Sequence, residues 1–379
     1  MTPIDMTLTA ARVLTPAGPE ETPLAIAGGV VVDAPAGREV ALSGCTVLPG
    51  IVDLHGDGFE RHLAPRRGLV SDLARGLSAL DAELAASGIT TAVLAQFWSW
   101  EGGMRSPDFA RKLAASLAEA RPHLLTDMVI QLRLETHLVG QFAEVAEFVE
   151  RHGIGYVVYN DHLPHEALRK GRNPPRLTGQ ALKSGRSPEA HLALIRELAA
   201  RGPEVPGALA ELSQRFAAMG VQLGSHDDPD PERRAMMRGL GVRISEFPET
   251  MEAARAARDA GDAVILGAPN VVRGGSHAGK MDARAAVAEG FCDALVSDYH
   301  YPAPAAAAAA LDPAGGGAGA WDLLSAGPAR IMGWTDRGIL APGQRADLAI
   351  LGPSGQIEAA IAAGRIAFAR GAVAQALFG

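Results

Sequence analysis

Apolar and polar positions alternate along the middle of the chain in a way that predicts strands and helices in turn. Short runs of Val, Ile, Leu and Ala recur there, and each run becomes polar at its C-terminal end. Continuous apolar runs of this length are typical of parallel strands that are buried on both faces. The pattern predicts eight strands, at residues 50–57, 89–97, 127–135, 155–162, 220–228, 241–248, 263–270 and 293–300.

Helical patterns separate most of the predicted strands. Residues 71–88 begin with a possible capping serine, Ser71, continue with an apolar stripe and end with a glycine. Two further helices are expected to begin at the Ser-Pro pairs of Ser106 and Ser187, since serine caps a helix and proline suits its first turn. Strands that alternate with helices in this way favour an α/β fold, a closed (β/α)8 barrel of the TIM type.

Both ends of the chain differ from the middle, because they carry short β-like segments separated by Gly and Pro turns. We predict that residues 1–50 and 336–379 meet in a small β-sandwich domain, and that residues 51–335 form the barrel. Two other segments lack a regular pattern. Residues 163–187 are expected to form a long, irregular insertion, and residues 312–320 are rich in glycine.

The composition of the chain gives predictions about its binding partners and its cellular location. The chain of 379 residues has a net charge of -8, which argues against nucleic acid or an anionic membrane as a partner. No N-terminal segment has the order of a signal peptide, and no apolar run is long enough to cross a bilayer. The 2 cysteines, Cys45 and Cys292, are expected to be buried thiols. These features predict a cytoplasmic protein, and a homo-oligomer is compatible with them.

Side chains that can bind a metal stand at the ends of the predicted strands. They are His55, Asp57, Glu135, His162, His226 and Asp298. In the first motif the two candidate ligands are two residues apart, so both face the same side of a strand. Imidazole and carboxylate together suit Zn²⁺, Mn²⁺ or Fe²⁺ better than Ca²⁺. We predict that the mouth of the barrel binds one or two divalent ions, with Zn²⁺ as the preferred ion.

Each candidate ligand also has a structural interpretation. A lone histidine at a strand end is more often a hydrogen-bonded structural residue than a ligand, and Glu135 could instead pair with Arg133. The common position of three histidines and Asp298 at barrel exits favours the metal site. A metal lowers the pKa of bound water to about 7, and Asp298 is placed to accept the proton of that water. The expected chemistry is metal-assisted hydrolysis.

The motifs LPGIVDLHGD at residues 48–57 and DRGILAPGQRADLAIL at residues 336–351 resemble the amidohydrolase superfamily. That superfamily usually has HxH at the first strand, where this chain has His55-Gly56-Asp57. The HxD form is similar to that of the phosphonate-metabolism PhnM family. Three further motifs resemble the same family: EFPETMEAA, GAPNVVRGGSHAGK and SDYHYP. The resemblance implies hydrolysis of alpha-D-ribose 1-methylphosphonate 5-triphosphate to the 5-phosphate and diphosphate. It also carries metal binding onto the six residues named above.

The chain departs from the family pattern at several positions that flank the barrel mouth. Gly56 and Gly58 stand where the family tends to have a polar residue and an asparagine, and Leu80 stands where it often has histidine. Trp98 and Trp100, after the second strand, are also unlike the family. Hydrolysis of a C–N bond in a cyclic amide or N-acyl compound therefore stays open as an alternative. A scaffold on a degenerate fold would have lost ligand residues that this chain retains.

Two basic segments fit a small phosphorylated substrate. Residues 163–187 carry six Lys and Arg side chains, and binding there is only slightly favoured over a solvated loop. The segment VVRGGSHAGK contains a glycine pair that frees the backbone to point N–H groups at an anion. We predict a phosphate-binding segment made of Arg273, Gly274, Gly275, Ser276, His277 and Lys280. Arg66 and its neighbour Arg67 are expected to add a further positive contact.

Overall fold

The computed structural model describes residues 2–64, 72–274, 281–313 and 318–379. Its strands are β1 Met6–Thr9, β2 Arg12–Thr15, β3 Gly18–Glu20, β4 Leu24–Ala27, β5 Val30–Val32, β6 Arg38–Ala41, β7 Thr46–Pro49, β8 Ile51–Gly56, β9 Ile89–Trp98, β10 Asp127–Glu135, β11 Tyr156–Asn160, β12 Gln222–His226, β13 Ile244–Glu246, β14 Ala263–Gly267, β15 Ala294–Val296, β16 Leu348–Leu351, β17 Ile357–Ala362 and β18 Arg365–Ala369.

The α-helices are α1 Glu60–Leu63, α2 Leu73–Ala86, α3 Pro107–Ala120, α4 Phe142–His152, α5 His165–Arg169, α6 Leu177–Ser184, α7 Pro188–Ala200, α8 Val205–Ala218, α9 Pro231–Gly239, α10 Met251–Asp259, α11 Ala268–Arg273, α12 Ala283–Ala288, α13 Ala303–Leu311, α14 Ala318–Asp322, α15 Ala326–Ile331 and α16 Gly371–Phe378. Short 3-10 helices lie at Gly103–Arg105, Arg121–His123, Val139–Gln141 and Gly202–Glu204.

The chain divides into two compact units. The first unit comprises Met1–Leu94, Leu117–Val129 and Ala263–Gly379. The second unit comprises Ala95–Ser116 and Ile130–Asp262.

Strands β8 to β15 form one eight-stranded sheet in which each strand neighbours the next along the chain. The pairs β8–β9, β10–β11, β11–β12, β12–β13 and β14–β15 are parallel. In the first unit, a parallel bridge joins Gly56 of β8 to Asp298, just after β15. The sheet follows chain order and its first strand meets the end of its last, so the predicted (β/α)8 barrel is confirmed.

The barrel strands form where the apolar runs predicted them. All ten residues of β9 are buried, as expected for a strand covered on both faces, and β10 has the predicted bounds. Six of the eight predicted strands extended too far at their C-terminal ends. The predicted strand 293–300 ends at Val296, because the chain turns at Asp298 with a φ of 54°. The predicted strand 263–270 ends at Gly267, where α11 begins.

Two helices begin at the predicted Ser-Pro pairs. Ser106 Oγ accepts a hydrogen bond from the backbone N–H of Phe109, and Ser187 Oγ accepts one from Ala190, both at 3.2 Å. The predicted cap of α2 was wrong by one position. Asp72 is the cap, and its side chain accepts from the N–H of Ala74 at 3.0 Å, whereas Ser71 lies outside the described residues.

About half of the segment 163–187 is helical, and for that half the expectation of an irregular insertion was wrong. It contains α5 and α6, and Lys170 of this segment pairs with Glu166 one helical turn earlier. Arg186 donates to the backbone oxygen of Trp100 at 2.8 Å. Two of the six cations of this segment, Lys170 and Arg186, therefore have partners within the second unit. In the glycine-rich stretch 312–320, residues 314–317 lie outside the described residues.

Both chain ends contribute strands to two further sheets in the first unit. One sheet has the order β5-β4-β1-β6, and the other has the order β18-β17-β16-β7-β2-β3. Leu8 and Ile26 from one sheet share a hydrophobic core with Val47, Leu348 and Ile361 from the other. Two sheets that share one core form a sandwich, so the predicted β-sandwich of both termini is confirmed. Its boundaries at residues 50 and 336 stay a prediction.

The state of the cysteines and the length of the helices can be compared with the predictions made from composition. Cys45 and Cys292, both within the described residues, are buried thiols as predicted and are not joined in a disulfide. In the part of the chain that the structure describes, no helix is both long and apolar enough to cross a membrane.

A buried ion-pair network ties the ends of β12 and β13 together in the second unit. The side chains of Arg234 and Asp228 are each 1% exposed, and Arg234 Nη1 lies 3.0 Å from Asp228 Oδ2. The hydroxyls of Ser225 and Ser245 donate to the same carboxylate oxygen, at 2.6 and 2.8 Å. Asp262 also faces Arg234, at 3.5 Å. Since the two serines directly precede His226 and Glu246, the network fixes the backbone that carries both residues.

We expect Arg234→Ala to lower the free energy of unfolding by about 3–5 kcal/mol, because it leaves the buried carboxylate of Asp228 without its cation, whereas Asp262 keeps its pair with Arg238. Urea unfolding followed by circular dichroism measures this change. Arg75→Ala, at a side chain that is 89% exposed, is the control and is expected to stay within about 0.5 kcal/mol of the wild type. A loss as small as the control's in Arg234→Ala would show that the network does not stabilise the unit.

Candidate metal centre

In the first unit, three of the predicted metal ligands lie where the end of β8 meets the turn after β15. His55 is completely buried in β8. The backbone N–H of Asp298 donates to the oxygen of His55 at 2.9 Å, and the oxygen of Asp298 accepts from the N–H of Asp57 at 2.9 Å and of Gly58 at 3.3 Å. These backbone bonds bring His55, Asp57 and Asp298 together.

The backbone at several barrel exits adopts a conformation that residues other than glycine rarely adopt. Asp298 follows β15 with a φ of 54°, Asp227 follows β12 with a φ of 57° and Phe247 follows β13 with a φ of 52°. Positive φ values of this kind persist only where the surrounding structure enforces them, and they cluster at functional sites. Their position at the C-terminal ends of barrel strands therefore agrees with the predicted location of the site.

In the second unit, Glu135 is the centre of a buried hydrogen-bonded group. Its side chain is completely buried, and its Oε1 lies 2.5 Å from Nδ1 of His162. Its Oε2 accepts from the backbone N–H of His162 at 3.1 Å and from Nε1 of Trp100 at 3.2 Å. The alternative partner, Arg133, lies over the ring of Phe97 at 4.0 Å. Trp100, a departure from the family pattern, thus holds a candidate ligand in place.

The pairing with Glu135 prepares the imidazole of His162 to bind a cation. Burial by itself lowers the pKa of His162, but the hydrogen bond and the charge of Glu135 outweigh burial and raise the pKa above its ordinary value. A carboxylate at one ring nitrogen fixes the ring and makes the other nitrogen a stronger donor. With Nδ1 directed at Glu135, Nε2 is the atom available to a metal.

His226 shows the same arrangement with a residue that sequence reasoning missed. Its Nδ1 lies 3.2 Å from Oε2 of Glu246, which is completely buried at the end of β13. Oε1 of Glu246 accepts from the hydroxyl of Tyr156 and from Nε2 of Gln131, both at 2.6 Å. Glu246 ends an apolar strand as Glu135 does, and that common pattern was the available signal. The described residues thus contain imidazole–carboxylate groups that could hold a divalent metal.

The predicted phosphate-binding segment is described only in part. Gly274 ends α11 with a φ of 76°, and its N–H donates to the oxygen of Asn270 at 3.2 Å. The segment therefore follows a short helix rather than a strand, and this N–H completes the last turn of that helix. The remaining predicted members lie outside the described residues: Gly275, Ser276, His277, Lys280 and Arg66, as well as Arg67.

Two arginines of the first unit contact Tyr299, one at its hydroxyl and one at its backbone oxygen. Arg273, at the end of α11, donates to the hydroxyl of Tyr299. Arg61, which the sequence did not single out, donates to the backbone oxygen of Tyr299 at 3.0 Å. Because Tyr299 directly follows Asp298, this positive pair lies beside one of the candidate ligands.

Comparison with known proteins identifies the family. Among models of protein families, none matches the chain. The curated enzyme alpha-D-ribose 1-methylphosphonate 5-triphosphate diphosphatase of Escherichia coli (strain K12) is 32% identical over 326 residues, which cover 80% of this chain and 82% of that protein. The chain belongs to the PhnM family. The predicted resemblance is confirmed, and this PhnM family member is a hydrolase.

Solved structures of other hydrolases share the fold of this PhnM family member. N-acetyl-D-glucosamine-6-phosphate deacetylase of Mycobacterium smegmatis is 18% identical with a TM-score of 0.60, and covers 96% of this chain and 100% of its own. The deacetylase of Pasteurella multocida is 10% identical with a TM-score of 0.64, covering 96% and 99%. Molinate hydrolase is 12% identical with a TM-score of 0.64, covering 97% and 95%. At these identities the likeness concerns the fold alone.

The two glycines that depart from the PhnM family pattern make room for Tyr301. This tyrosine is completely buried. A Cβ at Gly56 would lie 2.7 Å from Cε1 of Tyr301 and 3.0 Å from Oδ2 of Asp53. A Cβ at Gly58 would lie 3.2 Å from Cε2 of the same ring and 2.5 Å from Nη1 of Arg61. The aromatic ring therefore occupies the space that side chains at positions 56 and 58 would need.

We expect Gly56→Ala to lower the free energy of unfolding by about 1–3 kcal/mol, because the added methyl group meets a packed ring. Thermal and urea unfolding measure the effect. Gly179→Ala is the matched control, since a Cβ there would meet nothing within 4 Å, and alanine favours a helix over glycine by up to about 1 kcal/mol. Equal stability of Gly56→Ala and the wild type would contradict the packing explanation.

Proposed function

We propose that this protein hydrolyses alpha-D-ribose 1-methylphosphonate 5-triphosphate to the 5-phosphate and diphosphate, within the carbon–phosphorus lyase pathway of phosphonate catabolism. The observation that carries the proposal is the 32% identity over 326 residues to the Escherichia coli enzyme of that name. The His55-Gly56-Asp57 motif at the end of β8 supports the same branch of the superfamily. The substrate is small and phosphorylated, in agreement with the guanidinium groups of Arg61 and Arg273.

The proposed centre holds one or two divalent ions, Zn²⁺ in preference to Mn²⁺ or Fe²⁺. All of the proposed ligands stand at C-terminal ends of barrel strands, the face on which barrel enzymes carry their active sites. The mixed imidazole and carboxylate donors suit these ions. Bound there, an ion would supply Lewis-acid polarisation of a phosphoryl oxygen and activation of water. The proposed ligands are His55, Asp57, Glu135, His162, His226 and Asp298.

The protein's own residues position the reactants and move the proton. Asp298 accepts the proton of the attacking water as the α–β phosphoanhydride bond breaks and diphosphate leaves. The backbone bonds of Asp298 to His55 and Asp57 hold it at this place. The buried carboxylates of Glu135 and Glu246 keep the imidazoles of His162 and His226 in fixed orientations.

The alternative is hydrolysis of a C–N bond in a cyclic amide or an N-acyl compound. Gly56 and Gly58 are consistent with this alternative, because they depart from the family pattern at positions that flank the barrel mouth. The two arginines that contact Tyr299, Arg61 and Arg273, favour the phosphorylated substrate.

Product analysis by ³¹P NMR for the phosphorylated products, and by ¹H NMR for acetate and ring-opened dihydrouracil, distinguishes the two reactions. The zinc-loaded protein is incubated with the phosphonate ribose triphosphate, and in parallel with N-acetylglucosamine 6-phosphate and dihydrouracil. We expect equal amounts of diphosphate and the 5-phosphate, with no acetate or ring-opened product from the other two compounds. Amide hydrolysis without diphosphate release would overturn the proposal.

The proposal also includes a location and partners. A reducing cytoplasm is supported by the two cysteines, which are thiols rather than a disulfide. A homo-oligomer, and the absence of nucleic-acid and membrane partners, stay expectations from composition.

We expect Asp298→Asn to lower kcat by at least about 100-fold, because the amide cannot accept the proton. Circular dichroism should be unchanged and at least one metal ion should still bind. Asp108→Asn, at a side chain that is 85% exposed, is the control and should turn over like the wild type. Normal turnover in Asp298→Asn would refute the role of this residue as the base.

We expect Arg273→Ala to raise KM for the triphosphate about 10-fold or more, since a charge-assisted hydrogen bond contributes about 1.5–3 kcal/mol. Steady-state kinetics and the melting temperature are measured together. Arg330→Ala, at an exposed arginine of α15, provides the control. A change in melting temperature without a change in KM would show that Arg273 is structural.

A further inference from the structure

A second group of metal-ligand side chains lies in the second unit, apart from the proposed ligands. We name it the exit cluster, and it consists of His137, Asp161 and His165. His137 follows β10 by two residues, Asp161 directly follows β11 and His165 begins α5. One ligand atom from each residue lies within 4.8 Å of the other two. None of the three is among the metal ligands predicted from the sequence.

The spacing of the exit cluster fits a metal ion. Nδ1 of His137 lies 3.5 Å from Oδ1 of Asp161, and Nε2 of His165 lies 2.9 Å from both oxygens of Asp161. Ligand atoms about 2.1 Å from a tetrahedral zinc ion lie about 3.4 Å apart. The first separation is within about 0.1 Å of this value, and the separation between His165 and Asp161 would have to grow by about 0.5 Å to reach it. Two imidazoles and a carboxylate are also a known donor set of open zinc sites.

The three side chains of the exit cluster differ in solvent exposure, which increases from His137 through Asp161 to His165. The side chain of His137 is 7% exposed, that of Asp161 is 22% exposed and that of His165 is 52% exposed. An ion can therefore enter from the side of His165, and water can complete its coordination. The rings of His137 and His165 are tilted to one another, with centroids 5.3 Å apart, so both can face a common ion.

The local charges allow a cation at this place. The negative charges of Asp161 and Glu135 act on His137, whereas the positive charge of Arg233 acts on both His137 and His165. Arg233 opposes a cation, and the carboxylate of Asp161, which belongs to the cluster itself, offsets it.

We propose that the exit cluster binds a divalent cation of zinc-like preference, in addition to the ions of the proposed centre. Since His165 is the first residue of α5, the ion fixes the start of the basic segment 163–187 to the ends of β10 and β11. The proposal goes beyond the proposed function, because it assigns a separate site to residues that the reaction does not use.

Counting the bound metal in matched variants tests the exit cluster. Each protein is stripped with a chelator, reloaded with excess ZnCl₂, freed of unbound zinc by gel filtration and analysed by plasma mass spectrometry. The variants are His165→Ala, Asp161→Asn and the control His123→Ala, which replaces an exposed histidine of a 3-10 helix. His55→Ala reports separately on the proposed centre. Melting temperatures confirm that each variant is folded.

We expect His165→Ala and Asp161→Asn each to bind one zinc ion per chain fewer than the wild type, and His123→Ala to bind the same number. His55→Ala should lose zinc from the proposed centre and keep the ion of the exit cluster. An unchanged zinc count in folded His165→Ala overturns the inference. If His55→Ala binds as much zinc as the wild type while His165→Ala and Asp161→Asn each bind one ion fewer, the ligands of the proposed centre are wrong and the exit cluster is confirmed.

Discussion

The hydrogen bond between the buried carboxylate of Glu135 and the imidazole of His162 is the interaction on which the candidate centre depends. A carboxylate removed from water destabilises a protein unless hydrogen-bond donors surround it. Glu135 meets this requirement with the ring and backbone of His162 and with the indole of Trp100. The same bonds that satisfy the carboxylate hold the imidazole in one orientation. Stability and ligand placement therefore have a common cause here, and Glu246 repeats the arrangement with His226.

The barrel supplies the places where such pairs can form. Parallel strands buried on both faces bring only their C-terminal residues to the edge of the sheet, so polar chemistry is concentrated there. At three of these exits the chain turns through a positive φ, at Asp227, Phe247 and Asp298. For Asp298 the backbone bonds to His55 and Asp57 show what enforces the turn. The proposed base is thereby held next to two candidate ligands.

Much of this arrangement follows from local sequence, and the exceptions have physical reasons. The eight barrel strands and the Ser-Pro helices were predicted because burial on both faces and capping leave local patterns. Helices α5 and α6 were missed because neither has a side chain that caps its N-terminus. Pro269 in the first turn of α11 was a signal that the preceding strand had ended. The packing of Gly56 and Gly58 on Tyr301 joins segments far apart in the chain, and no local pattern encodes it.

Whether buried carboxylates hold the proposed metal-binding imidazoles in place is measured by the zinc affinity of Glu246→Gln, because Glu246 contacts His226 and is not itself one of the proposed ligands. The glutamine keeps the size of the side chain and removes the negative charge beside Nδ1 of His226. Competition with a chelating dye gives the zinc dissociation constant of the variant and of the wild type. The account predicts an affinity about 10–100-fold weaker in a folded variant. An unchanged zinc affinity would contradict it.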